Sequence, residues 1–319
     1  MQVVMYHYVR PSSDRPPHGY YHLALEDFRR QLDHLEAEYD FVDRETFLAC
    51  ATGDRSSEND RSPPDDAVVL TFDDGLADHY EWVLPELRSR DLFGVFFVPT
   101  GPLVGNGVLP VHRVHSLAGR HGATELRDAL FDVLAEGEFA DADGGTVGDP
   151  YGGRSTDDAL TTFKRVLNFE VPYDRLGDVL DAVEASFGGG PSADDYYLSG
   201  DQLRQLRDDG MVVGAHSVGH PVLSRLSSAD QRAEIASSFE TLAERVGGLS
   251  ARLFAYPYGS DRTFTDETKS LLEAVGCDAA FTTVSGRATP ERFRNSRLAL
   301  PRTDCNEFPH GGATFDLSP

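Results

Sequence analysis

Short, continuously apolar runs alternate with stretches of helical period along most of this chain. The runs lie at Val3–Val9, Ala67–Phe72, Gly94–Pro99, Met211–Ala215, Leu253–Tyr256 and Ala279–Thr283. They are short and apolar on both faces, so they predict buried strands. Apolar residues recurring every three or four positions predict helices over Leu25–Tyr39, Leu203–Asp208, Ser227–Val246 and Thr265–Val275. The alternation fits one α/β domain over residues 1–319, built as a (β/α) barrel.

Between Thr100 and Leu198 the pattern changes. Helix-like stretches surround Val111–Leu117, Thr124–Leu134, Ala159–Asn168 and Tyr173–Phe187, broken by glycine-rich turns. The expectation is a helical insertion over about residues 101–198. Because it follows the Gly94–Pro99 run directly, it is expected to cap the strand ends and shape access to them, or else to serve stability or oligomer formation.

Composition narrows the partners. With 53 acidic against 29 basic residues the formal charge is −24, which argues against nonspecific nucleic-acid or anionic-membrane binding and favours neutral or cationic substrates. Lys164 and Lys269 are the only lysines. Few lysines and abundant Asp resemble an acidic, halophile-like cytoplasmic protein, although a GC-rich coding sequence also favours Arg. Met1 runs almost directly into the first apolar strand without a secretory pattern, and no stretch approaches the roughly 20 apolar residues that cross a membrane. Cys50, Cys277 and Cys305 are odd in number and lack metal-ligand spacing, so reduced thiols and a cytoplasmic setting are expected.

Three short runs carry the candidate chemistry. Of five Asp-Asp pairs, only Asp73-Asp74 closes a continuous apolar run, with Gly75 supplying the turn beyond it. Both carboxylates are therefore expected at a strand's C-terminal edge, where ligand crevices of α/β sheets and barrels lie and where neighbouring carboxylates can share metal binding and proton transfer. His216-Ser217-Val218-Gly219-His220 follows the Met211–Ala215 run and precedes Pro221, so it reads as a strand-end loop. The equally spaced pair His18 and His22 follows Pro16-Pro17 and reads as surface or substrate-side. A helical zinc-protease motif fails at His216 because Ser217 stands where Glu is needed. Two neutral imidazoles plus one carboxylate leave coordination positions open for water and substrate. The third run, Tyr256-Pro257-Tyr258-Gly259, follows the Leu253–Tyr256 strand pattern.

Together these runs resemble the metal-dependent polysaccharide deacetylases, which remove N-acetyl groups from amino sugars. The resemblance covers residues 1–100 and 196–310 in pattern and order, and implies an irregular, seven-stranded, partly open (β/α) barrel. It implies Asp73 as catalytic base, Asp74, His216 and His220 as metal ligands, and the Tyr258 backbone N–H as oxyanion donor. Two departures stand out. Better-known members read F-R-x-P-Y-G at the groove run, whereas Phe254-Ala255-Tyr256-Pro257-Tyr258-Gly259 lacks the Arg that orients the base; Arg302 is the better replacement and Arg252 the weaker. Those members also carry a late histidine as general acid, where Leu298-Ala299-Leu300 ends in Pro301. His7, at the end of the first apolar run, resembles the acid of the permuted branch that includes poly-N-acetylglucosamine deacetylases, with His310 a weaker rival.

The implied activity is hydrolysis of an N-acetyl amide of an amino sugar at a divalent metal. The His-His-Asp set favours zinc and also admits cobalt, nickel or iron. With a cytoplasmic setting, a lipid- or nucleotide-linked precursor is the expected substrate. Two alternatives stand beside it: hydrolysis of a cyclic amide or ureide at the same site, and a non-catalytic sugar-binding protein on the same fold.

Overall fold

The computed structural model describes residues 1–12, 20–53, 66–135 and 159–313. Its main sheet contains β1 Gln2–Tyr6, β2 Ala67–Phe72, β3 Gly94–Val98, β4 Val212–Ala215, β5 Leu253–Ala255, β6 Ala279–Phe281 and β7 Thr303–Asp304. They are all parallel, in the order β7-β1-β2-β3-β4-β5-β6, and a two-residue strand Asp40–Phe41 pairs with the start of β2. Leu300 bridges to Phe281 of β6, while Thr303 and Asp304 pair with Val4 and Met5 of β1. The segment Leu300–Asp304 thus spans the two ends of the sheet and curls it into an irregular (β/α) barrel.

Every apolar run of the sequence overlaps one of these strands, and the differences are at the ends. The first strand stops at Tyr6 rather than Val9, because Val9–Arg10 turns away to pair with Leu23–Ala24. His7 is therefore the first residue beyond the strand. The strand Thr303–Asp304 and the helix Arg44–Thr52 had no clear pattern. The first has two residues, and the second buries only Phe47 and Ala51.

Successive strand residues alternate between two packed faces. One face, with Val4, Tyr6, Val68, Leu70, Phe72, Phe96 and Phe254, packs under the helices Leu25–Glu38, Gly200–Asp208, Ser228–Val246 and Asp266–Ala274. The other, with Val3, Val69, Val95, Phe97, Val212, Leu253 and Phe281, packs with Phe47 and Phe293. Each large apolar side chain so buried contributes about 1.5–3 kcal/mol. Thr71 and Asp73 continue the face of Val69, which is how a carboxylate comes to sit almost fully buried.

Among the described residues, 106–135 and 159–195 with Tyr20 and Tyr21 belong to a second compact unit. Its described helices are Pro110–Arg120, Ala123–Ala135, Ala159–Arg165, extended by a π-helical turn Val166–Glu170, and Tyr173–Ser186. Leu117, Leu126, Leu130, Phe163, Leu167, Val179 and Leu180 form its own fully buried core. Arg113 joins two of these helices through Glu184 and Asp181, with its Nε 2.9 Å from Glu184 Oε1. No helix among the described residues is long and apolar enough to cross a membrane.

Candidate active site

Because the strands are parallel, all loops that follow them leave at one edge. After β2 come Asp73, Asp74 and Gly75; after β4, His216 to His220; after β5, Tyr256 to Gly259; after β1, His7. Asp74 has φ 77° and Gly75 φ 59°, and a Cβ on Gly75 would lie 2.9 Å from Val98 Cγ1, so that turn requires glycine. Ser217, His220 and Tyr258 also occupy the left-handed region. Such conformations cost roughly 1–3 kcal/mol each in non-glycine residues, and persist only when their surroundings fix them.

Asp74, His216 and His220 converge. His216 Nε2 lies 3.6 Å and His220 Nε2 3.5 Å from Asp74 Oδ1, and one donor atom from each lies within 4.8 Å of the others. All three are buried. His216 Nδ1 stands 2.7 Å from the Ala255 carbonyl oxygen. A carbonyl only accepts, so Nδ1 carries the hydrogen and Nε2 presents a lone pair toward Asp74. Burial pushes the His216 pKa down, against the pull of Asp73 and Asp74, which favours the neutral ring. One carboxylate and two neutral imidazoles in this spacing fit a divalent cation.

Asp73 is paired differently. Arg302, fully buried, donates from Nη1 to Asp73 Oδ1 at 2.7 Å and from Nη2 to Oδ2 at 2.6 Å. Its Nε donates to the Thr282 carbonyl at 2.9 Å and Nη1 reaches Thr71 Oγ1 at 3.2 Å. The guanidinium is thus fixed by the ends of two strands, β2 and β6. Burial pushes the Asp73 carboxyl up, but the Arg302 charge and its hydrogen bonds lead the opposing effects, and the carboxyl is held below its ordinary value. Arg252 precedes β5, at the opposite end of that strand from the site loops, with its guanidinium over the Phe239 ring at 4.4 Å. Of the two candidate arginines, Arg302 is the one paired with Asp73.

His7 Nε2 lies 4.0 Å from Asp73 Oδ2, with a side chain 40% exposed, the only site imidazole so open to solvent. Its backbone is held by a group that sequence reasoning missed: His79 Nε2 is 3.0 Å from the His7 carbonyl oxygen. Three residues on, Arg10 Nε donates to Asp78 Oδ2 at 3.0 Å. The His79 ring sits between Phe72 and Phe96, its centroid 5.6 Å from each. Burial there lowers its pKa to about 4, so near neutral pH the uncharged ring donates from Nε2 to that carbonyl. Nothing in the sequence distinguishes His79 from a surface histidine of the same helix.

Tyr258 packs its ring 5.1 Å from that of His220, and its carbonyl accepts from Thr283 Oγ1 at 2.8 Å. His310 is exposed. His112 and His115 belong to the helix Pro110–Arg120, where the His115 ring stacks on Tyr20 at 4.2 Å. His18 lies outside the described residues.

The family model described as polysaccharide deacetylase matches residues 180–280. A chitin deacetylase of Colletotrichum lindemuthianum is 36% identical over 58 residues, which is 18% of this chain and 23% of that protein. The alignment therefore spans less than a quarter of the relative's length. Among solved structures, the Streptococcus pyogenes deacetylase PplD in complex with acetate superposes with a TM-score of 0.54 at 17% identity, covering 95% of this chain and 91% of that one. IcaB from Ammonifex degensii gives 0.52 at 20% identity, covering 95% and 90%. These two likenesses establish the shared barrel fold, and the matched family segment covers about a third of the chain.

Proposed function

We propose that this chain is a member of the polysaccharide deacetylase family and a metal-dependent hydrolase that removes N-acetyl groups from an amino sugar. The observation that carries the reading is the side-by-side division of two adjacent carboxylates. Asp74 faces two imidazoles, while Asp73 is clamped by a buried guanidinium.

Asp74, His216 and His220 would hold the cation, with zinc preferred for this donor set and cobalt, nickel or iron admitted. When bound, it supplies Lewis-acid polarisation of the acetyl carbonyl and a water acidified toward a pKa of about 7. Asp73, kept ionised by Arg302, takes the proton from the attacking water. The Tyr258 backbone N–H stabilises the oxyanion that develops on the former carbonyl oxygen. His7, 4.0 Å from Asp73 and open to solvent, gives a proton to the departing amine nitrogen. The products are acetate and the free amino sugar.

The test is acetate release from a panel of N-acetylated sugars, with cyclic ureides alongside and metal content measured on the same samples. Acetate release that needs the cation is expected. Ring opening of ureides instead would move the reaction to cyclic amides, and no turnover of either class would leave a sugar-binding protein on this fold.

His7 has its own test. His7→Ala is expected to keep fold and metal but to slow amide hydrolysis roughly a hundredfold or more, with less effect on an activated acetyl ester, whose leaving group needs no proton. Equal slowing of both substrates would reduce His7 to a structural role.

The strong negative charge, −24 overall, weighs against a polyanionic polymer as substrate. The odd number and spacing of Cys50, Cys277 and Cys305 favour reduced thiols and a cytoplasmic setting, and with it a precursor as substrate rather than a finished extracellular glycan.

A further inference from the structure

The loop His216–His220 carries both histidine ligands, and most of the contacts that hold its backbone come from outside it. Ser217 at φ 62° and His220 at φ 57° are both left-handed, so the segment needs partners to define it. Its carbonyls are taken by the chain after β3: Thr100 N–H donates to the Ser217 oxygen at 3.0 Å and Gly101 N–H to the Val218 oxygen at 2.9 Å. Within the loop, His220 N–H donates to Ser217 Oγ at 3.0 Å. The two consecutive N–H groups between the histidines point the other way, at a single atom. Val218 N–H and Gly219 N–H both donate to Glu234 Oε2, each at 2.8 Å.

Consecutive N–H groups beside a left-handed residue form a concavity that attracts an anion. Here the anion is built in, on the helix Ser228–Val246, and half-buried. Carbonyls fixed on one side and N–H groups on the other leave the loop little freedom to rotate. The spacing of His216 and His220 around Asp74 then follows from Glu234 as much as from the ligands themselves.

We infer that Glu234 is a positioning residue for the metal centre, acting through the backbone of the His216–His220 loop rather than by touching the cation or the substrate. The inference rests on the metal-hydrolase reading of the same site. Groups that orient ligands from outside the coordination sphere typically change metal affinity ten- to a hundredfold when removed, and preorganised sites depend on such support.

The experiment measures Co2+ and Zn2+ affinity of the full-length protein by competition with a chelating dye. The Co2+ absorption spectrum is recorded as a report on ligand geometry, and folding of the metal-free forms is checked by circular dichroism. Glu234→Ala is expected to weaken both metals roughly ten- to a hundredfold and to alter the cobalt spectrum. Glu234→Gln keeps an oxygen where Oε2 stands and is expected to recover most of that loss. Glu234→Asp keeps the charge but withdraws it by one methylene, and is expected to resemble Ala. Metal affinity in Glu234→Ala within twofold of the unaltered protein would overturn the inference. So would rescue by Asp without rescue by Gln, since charge rather than the loop contact would then be responsible. If Glu234→Ala fails to fold, the comparison of Gln with Asp still decides. Should the unaltered protein bind neither ion, the metal reading itself falls, which is a different result from intact binding that ignores Glu234.

Discussion

Asp74→Ala, His216→Ala and His220→Ala are each expected to lose stoichiometric metal and, with it, essentially all hydrolysis. The three side chains are the one group of potential ligands found together among the described residues. Removing any one leaves two protein donors, too few to hold a divalent cation against water and buffer. The loss should also appear in stability. A ligand that binds only the folded state stabilises it by about 4 kcal/mol at a thousand times its dissociation constant. Adding metal should therefore raise the melting temperature of the unaltered protein and leave the three variants unmoved. Elemental analysis and thermal melts with and without a chelator check this. Full occupancy in all three variants would dissolve the proposed coordination set.

How much of this was legible beforehand depends on distance along the chain. Asp73, Asp74, His216 and His220 each sit within a few residues of an apolar run, so local pattern was enough to place them at a strand edge. Parallel pairing then did the rest, bringing the ends of β2 and β4 to one side of the sheet. Arg302 shows where the pattern weakens. It stands 229 residues from its partner, beside a two-residue strand and after Pro301, so pattern ranked it above Arg252 but gave no view of the contact itself. The choice is made by barrel closure, which carries Leu300–Asp304 from β6 to β1 and turns Arg302 inward over Phe97. His79 and Glu234 were not legible at all. Both act through backbone atoms of other loops, and such contacts leave no trace in residue type or spacing.

The Asp73–Arg302 pair carries the second large expectation, and its burial makes the simple test ambiguous. Asp73→Asn should retain metal and lose roughly a hundredfold or more in turnover, because an amide cannot take the water's proton. It also leaves a fully buried guanidinium facing a neutral group, so lost activity alone could reflect a distorted site. Arg302→Met creates the opposite imbalance. Asp73 is 2% exposed, and without its partner burial favours the protonated carboxyl. This variant should lose turnover on a similar scale and about 3–5 kcal/mol of stability, the usual cost of breaking a buried ion pair from one side. The double variant Asp73→Asn with Arg302→Met separates the two effects. Its stability should exceed that expected from adding the single losses, because neither charge is then left alone. Recovery should be partial, since Met returns nothing to the Thr282 carbonyl or to Thr71 Oγ1. Turnover should not recover at all, for the base is still missing. Additive stability losses would mean the pair is not coupled, and restored turnover would remove Asp73 from the reaction. If Asp73→Asn instead released the metal while Asp74→Asn kept it, the roles of the two adjacent carboxylates would be exchanged.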